Sequence, residues 1–252
     1  MTKTIAIAGK GGTGKTTICA LLIKLLAEKG VVLAIDGDPS SNLHLTLGLP
    51  LEDTVGAVRE EMLAQVKGGS FSPGMAKQDY IDLRIHESLV ESKGIDLLAM
   101  GRPEGPGCYC AANNMLRTVI DRMETNYDYV VIDNEAGMEH ISRQTTRDVD
   151  LLLIISDVSM RGMITATRMK ELIGEIRTSV GRVALIINRV DNGLPPEMEQ
   201  AVSESGLELA GTIPTDPQAL ELDGRGVPLI QLPEDSPLMQ AVREIAKRLA
   251  LL

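Results

Sequence analysis

Gly9-Lys-Gly-Gly-Thr-Gly-Lys-Thr16 constrains this chain more than any other stretch. It fits G-x-x-x-x-G-K-[ST], and it lies between an apolar run at 5–8 and a helical pattern at 16–29. A strand, a glycine-rich turn and a helix in that order form a phosphate-binding loop. Glycines let backbone N–H groups turn inward around phosphate oxygens. The first turn of the helix adds its dipole at the same place.

The rest of the chain repeats the strand–helix alternation. Apolar runs at 31–35, 95–100, 129–132, 151–155, 183–187 and 207–213 read as further strands. Most are continuously apolar, as parallel strands covered on both faces must be. Helical patterns fall at 111–124, 163–178, 196–205 and 237–251. The expected fold is α/β, a doubly wound and mainly parallel sheet with helices on both faces. Residues 50–94 are less regular: a helix is expected at 54–67, a loop at 67–74 and an edge strand at the alternating stretch 80–85. With no internal repeat or linker, residues 1–252 read as a single domain.

Composition narrows the class. With one Phe, four Tyr and no Trp, the core must be Leu, Ile, Val, Ala and Met. A net charge of −10 argues against general affinity for nucleic acid or anionic lipid. Three cysteines cannot build a disulfide framework, and no apolar run reaches membrane-spanning length. The expectation is a soluble, cytoplasmic, reduced protein.

Within the loop, Lys15 should reach the β- and γ-phosphates and Thr16 should ligate Mg²⁺. Lys10 lies on the far side of the bend, and one short loop cannot easily aim both lysines at one phosphate chain. Lys10-Gly-Gly-Thr-Gly-Lys-Thr16 matches K-G-G-x-G-K-[ST] and so resembles the deviant-Walker-A ATPases, the family of MinD, ParA and the nitrogenase iron protein. The resemblance implies ATP and Mg²⁺ as cofactors and an ATP-sandwich homodimer in which Lys10 acts in trans. It implies nucleotide contacts from Gly11, Gly12, Thr13, Gly14, Lys15, Thr16 and Thr17. Asp36-Gly-Asp-Pro39 aligns with switch I, where Asp38 would orient or activate the attacking water. Asp133, ending an apolar run, would hold Mg²⁺ and open switch II at 133–137. Asn188 matches the adenine-reading asparagine, and Pro214 and Asp216 match the loop that closes over the base.

Two of the three cysteines stand one residue apart, at Cys108 and Cys110, after a glycine- and proline-rich stretch at 101–107. Taken alone they are metal ligands, redox partners or a chance pairing; Cys19, on the apolar run of the first helix, reads as core. The nitrogenase iron protein places a second cluster cysteine in switch II, where this chain has Ala136. C-x-C joined to this phosphate loop instead resembles the CooC-type nickel-insertion ATPases of carbon monoxide dehydrogenase and acetyl-CoA synthase maturation. That resemblance implies Ni²⁺, or Zn²⁺ at the same thiolates, and a client nickel enzyme as partner. Thiolates are soft ligands suited to both ions, and two chains would supply the four that a tetrahedral site needs. The alternatives are a MinD/ParA-like positioning ATPase, for which the amphipathic stretch 237–251 would have to serve as an anchor, and an iron–sulfur carrier ATPase.

Overall fold

In the computed structural model, residues 1–69, 71, 74, 76–102, 115, 117–118, 120–136, 148–175 and 179–252 are described. Seven strands form one sheet: β1 (Lys3–Gly9), β2 (Val32–Asp36), β3 (Ile95–Ala99), β4 (Tyr129–Asp133), β5 (Asp148–Asp157), β6 (Ser179–Asn188) and β7 (Glu208–Ile213). Their order is β3-β2-β4-β1-β5-β6-β7, and every neighbouring pair is parallel. The helices are α1 (Lys15–Ala27), α2 (Leu43–Leu47), α3 (Val55–Gly68), α4 (Lys77–Glu87), α5 (Met160–Glu175), α6 (Pro196–Ser205), α7 (Pro217–Gly224) and α8 (Pro237–Arg248). Residues 120–123 are also helical.

The period of two in a strand divides the apolar side chains between two cores. Ile5 and Ile7 of β1, with Val32 and Ala34 of β2, pack on one side with Ile18 and Leu22 of α1 and Val242 and Ile245 of α8. Ala6, Ala8, Leu33 and Ile35 face the other side, against Val58 of α3, Ile85 of α4 and Met169 of α5. Cys19 is fully buried in the first of these cores. The apolar stripe of α8 is covered as well: Leu238, Val242, Ile245 and Ala246 are buried. That stripe packs on the sheet. Among the described residues no helix is long and apolar enough to cross a membrane.

One expected element is overturned. The alternation at 80–85 reads as a strand, but these residues belong to α4. Ile81 and Ile85, four apart, form its buried stripe, while Leu83, which completes the alternation, is 50% exposed. Arg84 on the outer face reaches Asp53 at 3.0 Å and Glu61 at 2.9 Å, tying α4 to α3. In so short a window periods of 2 and 3.6 share most of their positions, so the contacts to α3 decide. The short helices α2 and α7 carry too little periodic pattern to be expected from sequence.

Candidate nucleotide-binding site

Parallel strands bring their carboxyl ends to one edge of the sheet, where open α/β folds bind ligands. Register sets what meets there. Asp36 at the end of β2 lies level with Asp133 at the end of β4. Asp157 of β5 lies level with Asn188 of β6, and β1 runs between β4 and β5. The phosphate loop therefore leaves β1 with Asp36 and Asp133 on one side and Asp157 and Asn188 on the other.

The loop is pre-shaped by its own side chains. Lys15 is largely buried and folds back, its Nζ 3.4 Å from the Lys10 carbonyl. Thr13, fully buried, donates its hydroxyl to that same carbonyl at 2.9 Å. Gly14 caps α1 in the left-handed region, φ 90°, and no side chain caps the helix. The first-turn N–H groups thus face the site without a side-chain acceptor, as anion binding requires. Asn188, nearly buried, donates Nδ2 to the Thr13 carbonyl at 2.9 Å. A Cβ on Gly14 would stand 2.5 Å from that nitrogen, so only glycine lets Asn188 brace the loop.

Thr16 Oγ1 donates to Asp133 Oδ2 at 2.6 Å. The other oxygen, Asp133 Oδ1, is buried and has no hydrogen-bond partner among the described residues. A buried carboxylate oxygen left unpaired is costly unless a cation serves it. Lys15, Asp133, Asp38 and Glu135 interact electrostatically here, so carboxylates outnumber the buried lysine. Phosphates would enter such a site only with a divalent cation. Hard oxygen donors of this kind fit Mg²⁺, which Asp133 and Thr16 would hold.

Asp38 is half-buried on the loop after β2, with Oδ1 accepting from the Ser40 N–H at 2.8 Å. Lys10 is 43% exposed and its Nζ lies 3.9 Å from Asp157 Oδ2, within the same chain. Pro214 and Asp216 border a cleft with Gly14, Thr17 and Asn188. The Asp216 carboxylate accepts from the Gln218, Ala219 and Leu238 N–H groups, capping α7 and holding the start of α8. Cys108, Cys110 and Gly137 lie outside the described residues.

Two site residues escaped the sequence reading. Asp157 ends an apolar strand just as Asp133 does, and that pattern was available at 151–157. Asp36 is fully buried and accepts from Asp38 N at 3.1 Å and Leu43 N at 2.9 Å, holding the loop that carries Asp38. Its clue was its place in D-x-D, read only for the second aspartate.

The sequence model of the CobQ/CobB/MinD/ParA nucleotide binding domain matches residues 4–229. The chain belongs to this MinD/ParA family. It is similar to an uncharacterised ATP-binding protein of Methanocaldococcus jannaschii, 45% identical with 97% of each chain covered. It is 31% identical to the carbon monoxide dehydrogenase accessory protein CooC of Rhodospirillum rubrum, over 88% of each. Its fold matches the MinD of Pyrococcus horikoshii complexed with Mg-ADP: TM-score 0.72, 22% identity, covering 99% of this chain and 96% of that one. This is an ATP-binding P-loop family.

Charge in this MinD/ParA site is finely poised. Burial pushes the Asp36 carboxyl up to about 7 and the Asp133 carboxyl up to about 6. Burial also draws Lys15 below the ordinary lysine range, against the pull of Asp133, Asp38 and Glu135. A carboxyl raised in the native state favours folding at low pH and loses that contribution as pH climbs through its native value. The nucleotide-free protein should therefore lose stability as pH rises from about 4 through 7, with a slope of up to about 1.4 kcal/mol per pH unit for each acid. Denaturant unfolding across this window measures it. Asp36→Asn, neutral at every pH, should flatten the upper part of the slope. A stability that stays level through the window in the wild type counts against two raised acids.

Proposed function

We propose that residues 1–252 act as a single Mg²⁺-dependent ATPase domain, cytoplasmic, which closes into a homodimer on ATP and handles a thiolate-bound metal for a client enzyme. The observation that carries the ATPase reading is the buried Asp133 Oδ1, without a hydrogen-bond partner among the described residues, beside Thr16 and Lys15. Lys15 neutralises charge on the β- and γ-phosphate oxygens. Asp38 orients water toward the γ-phosphorus; the bond to the bridging oxygen breaks, giving ADP and phosphate. Asp133 and Thr16 would hold Mg²⁺, which would supply charge neutralisation to the phosphates when bound. Asn188, Pro214 and Asp216 border the base. In the dimer, Lys10 leaves Asp157 and reaches the partner's nucleotide.

The cargo is nickel, with zinc competing for the same thiolates, held by Cys108 and Cys110 of both chains. Support comes from the C-x-C sequence and from the likeness to a carbon monoxide dehydrogenase accessory protein. The client is then carbon monoxide dehydrogenase or acetyl-CoA synthase. A hydrogen-bonded path from the nucleotide side also favours the reading. Gly37 N donates to the Asp133 carbonyl at 2.9 Å, and Met100 N donates to the Asp36 carbonyl at 2.8 Å. Met100 follows β3 and stands eight residues before Cys108 in the sequence.

Metal titration of reduced protein, with and without ATP, tests this. The expected result is one Ni²⁺ per dimer, sulfur-to-metal charge-transfer absorption, and affinity that falls at acid pH as protons compete for the thiolates. The double Cys108→Ser, Cys110→Ser variant should lose the metal and keep ATP binding. Metal and ATP should each alter the other's affinity by the same factor. Undiminished nickel binding by the double variant rules out the cargo role and leaves a dimerising ATPase.

A further inference from the structure

Asn134 follows Asp133 at the end of β4 and is buried, only 4% exposed. A buried amide is costly unless it is hydrogen-bonded. Asn134 directs two donors at one atom: its backbone N–H reaches the Ile7 carbonyl at 3.1 Å, and its Nδ2 reaches the same carbonyl at 3.0 Å. A carbonyl only accepts, so this contact fixes which way the amide points. Ile7 lies level with Asp133 in the β1–β4 register and stands two residues before Gly9, where the phosphate loop begins. The backbone bond alone would extend the ladder between the two strands. The side-chain bond is additional, and it sets the direction in which the chain leaves β4.

Two more parts of the site meet at this point. The Asp133 carbonyl accepts from Gly37 N at 2.9 Å, and Gly37 precedes Asp38. A Cβ on Gly37 would stand 3.1 Å from that carbonyl and 3.9 Å from Asn134 Cα, so the Asp38 loop packs directly on the junction. Two residues beyond Asn134 the chain passes the phosphate loop: a Cβ on Gly11 would stand 3.6 Å from the Ala136 Cβ. The end of β1, the Asp38 loop and the chain leaving Asp133 therefore converge on Asn134. An apolar side chain of similar size would meet the needs of burial without a donor. The amide serves a specific geometry instead.

We propose that Asn134 is a positioning residue for ATP hydrolysis: its amide, locked on the Ile7 carbonyl, holds Asp133 and the Asp38 loop in register with the phosphate loop. This rests on the ATPase reading above and adds to it a residue that acts through Asp133 and Asp38. The backbone bond to Ile7 survives any substitution but proline, so fold and ground-state binding should survive as well. What is lost is the alignment that the reacting geometry needs.

The test compares wild type with Asn134→Leu, Asn134→Ala and Asn134→Ser. It measures Mg-ATP binding by calorimetry, single-turnover hydrolysis, and the thermal midpoint without nucleotide. Asn134→Leu and Asn134→Ala should hydrolyse about 10-fold more slowly, the effect of one lost hydrogen bond, with Mg-ATP affinity close to wild type. Asn134→Ser keeps a donor and should recover part of the rate. A residue that only supports the fold would move rate, affinity and thermal midpoint together, and that result overturns the proposal. Wild-type rates in Asn134→Leu and Asn134→Ala overturn it too, as does an Asn134→Ser protein no faster than Asn134→Leu. Wild type that binds Mg-ATP and never hydrolyses it overturns the ATPase reading and this assignment together.

Discussion

Lys15→Ala should abolish measurable Mg-ATP binding, while Lys10→Ala should keep most of the affinity and lose ATP-driven dimerisation. The two lysines differ in setting. Lys15 is buried over the loop, with its amine 3.4 Å from the Lys10 carbonyl and little room to turn elsewhere. With Asp133, Asp38 and Glu135 nearby, its removal leaves carboxylates facing the phosphates without their buried counter-charge. Truncating one partner of such a buried charged contact costs about 2–5 kcal/mol, enough to carry a micromolar site out of the working range. Lys10 is half-buried, its side chain 43% exposed, and bridges Asp157 at 3.9 Å, an ion pair that contributes little to the fold. Its loss should therefore leave the monomer intact. Calorimetry reads the affinities and light scattering with ATP reads the mass. A Lys10→Ala protein that dimerises and turns over like wild type removes the in-trans role. A Lys15→Ala protein that binds ATP normally removes the site.

Asp38→Ala should bind Mg-ATP and hydrolyse it about 10²–10⁴-fold more slowly, the usual contribution of a positioned acid–base group. Asp38 is half-buried on a loop anchored by Asp36, with one carboxylate oxygen on the Ser40 N–H. The dimer should then persist, because the γ-phosphate contacts that hold it are not discharged. Asp133→Ala should behave differently. It removes the partner of Thr16 and the one buried side-chain oxygen left unpaired among the described residues, so Mg²⁺-dependent binding itself should fail. Single-turnover hydrolysis with light scattering separates the two variants. Normal single-turnover rates in Asp38→Ala would end its assignment to the attacking water.

Some of this protein is local, and the sequence by itself determined it. Apolar runs of four to six residues can only be buried strands when helical patterns separate them, so the parallel sheet was legible. The phosphate loop was legible because its shape depends on eight consecutive residues, Gly9 to Thr16. Other features depend on residues far apart in the chain meeting, and only the tertiary structure decided them. Strand order and register put Asp36 level with Asp133, and Asp157 beside Lys10. Asn188 reaches across 175 positions to hold Thr13, and so sets the backbone of Arg189. Asp216 is matched in sequence to a loop over the base, yet its carboxylate joins the starts of α7 and α8. The stretch 77–87 is a helix because Arg84 finds Glu61 and Ile85 finds the core, contacts that no local pattern encodes. A motif fixes backbone shape over a few residues, whereas the pairing of charges at a site depends on which strand ends the fold brings level.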